Sequence, residues 1–344
     1  MYWIDVQEHF NDLVVGTYGR GIWILDDLSP LQQLDQNITK KEAHLFDIKP
    51  AYRFHNVTNS LQMLKEASTG QDPPKGASIN YWSNGEKDIE IIITNQKNEP
   101  VKTIKEKAKK GINRLWWDFS NEETSNIVFR TKPLYADWFT LDKNKERADQ
   151  SLYSFSIMSP PGTYNITLKS GANSMTKTLK VMKDPNSEGT EEDINLQNQL
   201  VTKIYADLNT TISHINSIEV IRRQLLDLKA MLKNSSSKKE FVQMVDKLEN
   251  QFLEIEKQLI QLKITGTGQD GVRYQKMLVE KLRYLAANVQ ISDFKPADSY
   301  VEVYEVLKGR LNSIVQKFEK LKTEDLSNTL DTLRNNKIEM IVTD

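Results

Sequence analysis

The chain has 344 residues, 46 basic and 47 acidic, a net charge of −1 and no cysteine. Near-neutral charge excludes a global field for nucleic acid or an anionic membrane, and the missing cysteines exclude disulfides, thiolate metal sites and cysteine nucleophiles. No apolar run approaches a membrane span, and Met1–Glu8 lacks the basic and apolar regions of a signal peptide.

Asp12 to Pro30 carries two strand-like pieces, Leu13–Thr17 and Gly21–Asp26, joined by Tyr18, Gly19 and Arg20. Alternation and flanking glycines predict a tight hairpin, stopped by Asp26, Asp27, Ser29 and Pro30. A lone hairpin is marginal in water, so its apolar face is expected to dock on the connector or on the strands that follow. The stretch before it reads as too short to serve. Residues 35–76 read as a connector, in which Ala43–Phe54 is apolar enough to lie along a sheet edge, with Pro50 limiting it, and Asn56–Gly76 is an exposed loop.

Six short strands follow: Ala77–Trp82, Asp88–Thr94, Val101–Lys105, Gly111–Asp118, one around Tyr164–Leu168, and Thr176–Met182. Asn84-Gly85 reads as a hairpin turn between the first two. The alternation predicts a small antiparallel sandwich over 77–185. It is interrupted by a long insertion, Phe119–Ser159, whose aromatics argue against disorder. Tyr135, Trp138 and Phe139 are its candidate binding residues; rings of this kind give large contact area at small entropic cost. The competing expectation is that they fold back as a satellite core.

Thr190 and the acidic run Glu191–Asp193 suit a helix N-terminus. Apolar residues from Val201 to Leu232 keep steps of three or four, and Phe241 to Leu262 alternates fours and threes. The second stripe is expected to pack against the helix ending near Leu232. Breaks at Asn234–Ser237 and Thr265–Gly271 precede a helix over Leu278–Val289, and Pro296 precedes a last helical run to about Arg334. Short connections imply antiparallel neighbours, hence an up-and-down bundle over 188–337. The first helix could reach roughly 60 Å, so it is expected to project or kink. A stripe of this kind is a bundle core or a partner surface.

No motif requires a cofactor. Gly16, Gly19 and Gly21 are not followed by a helix N-terminus, and the glycines of Gly266–Gly271 fall between helices, so neither set makes a phosphate cradle. His9, His44, His55 and His214 are scattered, with no zinc spacing. Asp26 and Asp27 are neighbours on a strand, point to opposite faces and cannot flank one glycosidic bond. Glu122, Glu123, Asp137 and Asp142 lie in the insertion, with nothing in their spacing to select them. Lys105–Lys110 has no interleaved aromatics, so no nucleic-acid partner is expected.

The segment NDLVVGTYGRGIWILDDLSPL, Asn11 to Leu31, resembles the closing blade of large bacterial propellers related to sortilin and to BNR-repeat glycosidases. The resemblance continues more weakly through GINRLWWDFS (Gly111–Ser120), PPGTYNITLKSG (Pro160–Gly171) and the helical tail. The order of the second and third segments also resembles Ig-like modules at the ends of secreted bacterial proteins. The Asp box S-x-D-x-G-x-T-W that repeats through such propellers is absent. The resemblance implies an N-terminally truncated fragment of an exported protein, extracellular or periplasmic. It implies an α+β multidomain chain: a propeller-blade remnant over 1–34, an Ig-like β-sandwich and a helical bundle. It implies a non-catalytic accessory region that supports the upstream propeller domain of the parent chain and contributes to binding a protein or glycan ligand. The alternative is part of a BNR-type glycoside hydrolase, helping to shape its substrate cleft.

Overall fold

The computed structural model describes residues 2–55, 74–136, 138–147, 154–233, 239–263, 265, 269–336 and 338. The chain is mixed α+β, with several sheets and a helical region, and forms two compact units. One comprises Met1–Glu122 and Met158–Asn195, the other Glu123–Ile157 and Leu196–Asp344.

The first unit opens with β1 (Trp3–Gln7), β2 (Asp12–Gly16) and β3 (Ile22–Leu25), an antiparallel meander in that order. The predicted hairpin is β2–β3, and Gly19 and Gly21 both take the left-handed φ of 79° that its turn requires. The residues before it do contribute: β1 pairs along β2, with Trp3 opposite Gly16. The expected apolar docking does not occur. Trp3, Ile22, Trp23 and Ile24 are all exposed, and the sheet is tied at its polar foot instead. Asp27 pairs with Lys49 at 2.8 Å and accepts from Asn80 at 3.1 Å, and Arg114 donates to the Asp26 carbonyl at 2.7 Å. Burial opposes the charge of Asp27, but hydrogen bonds from Lys49 and Ser29 hold it below the usual carboxylate range.

After the short helices α1 (Ser29–Gln33) and α2 (Gln36–Thr39) come β4 (Ala43–Leu45) and β5 (Ala51–Arg53). Then come β6 (Ala77–Ser83), β7 (Lys87–Thr94), β8 (Pro100–Ala108), β9 (Gly111–Trp117), β10 (Gly162–Ser170) and β11 (Asn173–Lys183). They form a sheet of order β5-β11-β10-β7-β8 and another of order β4-β6-β9. Alternation turns Ile79, Tyr81, Ile91, Ile93, Trp117 and Ile166 into one buried cluster shared by both sheets. Within the stretch read as a connector, β4 and β5 sit on Pro50's two sides and add to different sheets, both at an edge. Most of the predicted loop Asn56–Gly76 lies outside the described residues.

Asn84-Gly85 is not a hairpin turn. A type I′ turn needs positive φ at both central residues, and neither residue has it. The turn instead carries the chain from β6 in one sheet to β7 in the other.

The second unit is built on α3 (Glu191–Lys233) from Leu196 onward; the start of the helix is capped reciprocally by Thr190 and Asp193, at 3.0 Å in each direction. It is followed by α4 (Lys239–Leu259), α5 (Asp270–Arg273), α6 (Leu278–Val289), α7 (Asp298–Lys320), a π-helical turn (Leu321–Leu326) and α8 (Ser327–Asn335). α4 runs antiparallel to the far half of α3, through Arg222–Glu256 and Lys229–Asp246. α7 runs along the near half in the same sense as α3: Tyr304 donates to Asp207 at 2.9 Å, and the His214 ring meets Phe318 edge-on at 5.1 Å.

The expected alternation of direction is interrupted at α6. Its start is joined to the end of α4, where the Gln261 amide donates to Glu280 at 3.2 Å. Past its end, Ser292 accepts from Gln197 near the start of α3. So α4 and α6 descend in series along α3. This also answers the expected projection of α3: two shorter helices in series cover it, and its apolar positions from Val201 to Leu232 join one buried cluster.

Two substitutions test this packing. Phe252 is fully buried in that cluster, edge-on to Phe318 at 6.2 Å. Phe252→Ala is expected to cost about 3–5 kcal/mol in urea unfolding; a loss under about 1 kcal/mol would place the stripe at the surface. Gly76 has a φ of +114°, and a Cβ there would lie 1.9 Å from the Trp117 carbonyl oxygen. Gly76→Ala is expected to destabilise the first unit by well over about 1 kcal/mol.

Candidate functional site

The insertion does not belong with the strands that flank it. The chain leaves the first unit at Glu122 and returns at Met158, and residues 123–157 are part of the helical unit. Residues 125–131 run as a strap along α3. Irregular backbone leaves its amides unpaired, and side chains of α3 supply the acceptors. Asn209 accepts from the Ser125 amide at 3.0 Å and Asn216 from the Val128 amide at 2.8 Å. Asn216 also donates to the Asn126 carbonyl at 2.9 Å. Glu219 accepts from the amides of Arg130 and Thr131 and from the Thr131 hydroxyl, the latter two at 2.8 Å. Further along, the Leu134 amide donates to the Leu262 carbonyl at 3.3 Å. Phe129, Phe155 and Ile157 of the strap are buried in the helical core.

Beneath the strap lies a buried charge cluster. Arg222 reaches Glu249 at 2.8 Å, Glu256 at 2.6 Å and Glu219 at 3.6 Å, and donates to the Thr131 hydroxyl at 3.3 Å. One guanidinium thus faces three carboxylates in the interior. Burial opposes the charge on Arg222, but Glu256 and Glu249 hold its pKa above the ordinary value. Two mutually close carboxylates in one low-dielectric site cannot both ionise cheaply. Glu256 answers this: burial first, then the charge of Glu219, drives its pKa well above 4.5. Its Oε2 meets Arg222, while its buried Oε1 has no hydrogen-bond partner among the described residues.

At the surface, the strap places Tyr135 at 68 % and Trp138 at 66 % exposure, so the satellite-core expectation fails for both. Phe139 is half-buried and leans on Trp138 at 5.7 Å. Lys263 stands between two rings, 5.9 Å from the centre of Tyr135 and 5.7 Å from that of Tyr274. The result is a cation flanked by two phenols beside an exposed indole-bearing turn, able to stack on a planar or sugar face. Sequence reasoning missed Lys263 and Tyr274. Their signal was weak, since they flank a glycine-rich break far along the chain.

The other candidates are structural. Asp142 accepts from the Asn144 and Glu146 amides at 2.8 and 2.9 Å and so closes a turn. Glu122 accepts from the Thr103 amide at 2.7 Å. His9 packs on Phe10, His55 faces Arg53, and His214 bonds to the Thr210 carbonyl at 2.7 Å. Burial keeps the pKa of His44 low. Asp137 and Tyr153 lie outside the described residues. No helix among the described residues is long and apolar enough to cross a membrane. No protein-family model matches the chain, and no curated protein matches it.

The cluster has a pH signature. A carboxyl that holds its proton more tightly folded than unfolded favours the fold at low pH. That advantage is lost as pH rises from the ordinary value of 4.5 through the raised folded-state value. Glu256→Gln mimics the protonated acid, so it is expected to remove this slope and to be at least as stable as the wild type at pH 8. Arg222→Ala strands the glutamates and is expected to cost about 3–5 kcal/mol. Thermal unfolding of both variants across that range checks this; an unchanged slope in Glu256→Gln would place the proton elsewhere.

Proposed function

We propose that the chain is a non-catalytic accessory region that supports a sortilin-like β-propeller and contributes a contact for a protein or glycan ligand through Tyr135 and Trp138. One observation carries the binding half of this reading. The strap's backbone is pinned to α3, yet its Tyr135 and Trp138 are turned to solvent. Apolar rings held rigidly outward give up little entropy on binding. The finer fold belongs to the same proposal: β1–β3 as a blade of the propeller, the two sheets as an Ig-like sandwich, and the helices as a bundle. The exposed apolar faces of the meander, the apolar cluster shared by the two sheets, and the continuous helical core support these assignments. An extracellular or periplasmic location rests on the resemblance alone.

The test compares the full chain with a Tyr135→Ala/Trp138→Ala variant on a glycan array, with thermal unfolding alongside. Melting is expected to move by no more than about 2 °C, because surface changes of this kind are small. Retention of any bound glycan is expected to fall at least about tenfold, the equivalent of 1.4 kcal/mol. Equal binding by both, or a melting drop of several degrees, would return the rings to a structural role.

A further inference from the structure

A groove of about 560 Å³ lies between the α4–α6 side and α7 of the helical unit, away from the residues of the strap. On α7 it follows Val306, Gly309, Arg310, Ser313, Ile314 and Lys317, spacings that keep to one helix face for about three turns. Its floor is apolar: Leu278 and Ile314 are buried there, while Val306 is 55 % exposed. Its rim is cationic. Lys281, Arg310 and Lys317 line it, and among the described residues no lining residue is acidic. Among the described residues, none of these three cations has a hydrogen-bond or ion-pair partner for its side chain.

Gly309 sharpens the case. A glycine inside an exposed helix is unfavourable by about 1 kcal/mol relative to alanine. Close packing does not explain it, since a Cβ added there meets nothing within 4 Å. It leaves the groove open at mid-length. A second groove, of about 580 Å³, shares Lys317 and continues along α7 to Leu321 and Asp325 of the π-helical turn, an irregularity often found at functional sites.

We propose that this groove takes an acidic amphipathic helix of a partner protein, whose apolar stripe seats over Leu278, Val306 and Ile314 and whose flanking carboxylates meet Lys281, Arg310 and Lys317. Charge complementarity selects an acidic partner, and a trough running beside a helix for three turns suits a helix-in-groove mode. The proposal is independent of the strap.

The probe is a fluorescein-labelled synthetic peptide of about 16 residues, built from Leu, Ala and Glu with apolar residues at helical spacing. Anisotropy titrations into the full chain, at physiological salt, compare it with a scrambled peptide of equal composition. Micromolar binding at least about tenfold tighter than the scrambled peptide is expected. It is expected to be lost both in Gly309→Trp, which fills the groove, and in Arg310→Glu/Lys317→Glu. Gly309→Ala is expected to keep binding and raise the melting temperature, which separates a blocked groove from a damaged helix. Equal binding by the scrambled peptide, absence of saturable binding, or binding that Gly309→Trp leaves intact would overturn the proposal. So would tight heparin binding unaffected by Gly309→Trp, which would make the surface a general polyanion site.

Discussion

The guanidinium of Arg222 is placed where an unpaired charge would be intolerable, and the helical unit is arranged around that constraint. α3 brings Arg222 and Glu219, α4 brings Glu249 and Glu256, and the strap brings Thr131. Removing any partner leaves a buried group unsatisfied, so the register of α3 against α4 and the seat of the strap are fixed together. An apolar core of similar volume would hold the helices at least as well. What the polar cluster adds is a specific position for an irregular segment that has no ladder of its own.

From that anchor the strap's geometry follows. Glu219 takes two consecutive amides and a hydroxyl, and Asn209 and Asn216 take amides further back along the same helix. Phe129 and Phe155 then sink into the core, and the guanidinium of Arg147 stacks 3.9 Å above the Phe129 ring. With those rings buried, the intervening turn carries Tyr135 and Trp138 outward. The first unit reaches order differently. Its five-stranded sheet and the β4-β6-β9 sheet share one buried apolar cluster, while its leading meander is held by Asp27, Asn80 and Arg114.

The parts legible in the sequence were those with a simple period. The Ile89, Ile91, Ile93 alternation gave β7, and the apolar steps of Val245 to Leu259 gave the buried face of α4. The start of α6 at Leu278 and of α7 just after Pro296 also followed from local signals. What escaped were pairings set by distant chain. Trp3–Gln7 is too short to read as a strand without β2 beside it. Asn84-Gly85 carries a hairpin signature, but β6 and β7 each have two other neighbours. Asn209, Asn216, Glu219 and Arg222 fall near one face of α3, yet polar residues at helical spacing ordinarily mean solvent. Only the insertion's path shows that this face is covered. Of the three candidate binding residues, Tyr135 and Trp138 are outward and Phe139 is half-buried, a division that composition alone could not make.

The central claim is that α3 side chains hold the strap as firmly as regular structure. Native-state hydrogen exchange on the amides of Ser125, Val128, Arg130 and Thr131 measures this directly. The expected result is protection of the same order as the core amides of α3, lost together with them under mild denaturant. Exchange of these amides at the rate of an open loop, while α3 stays protected, would contradict it.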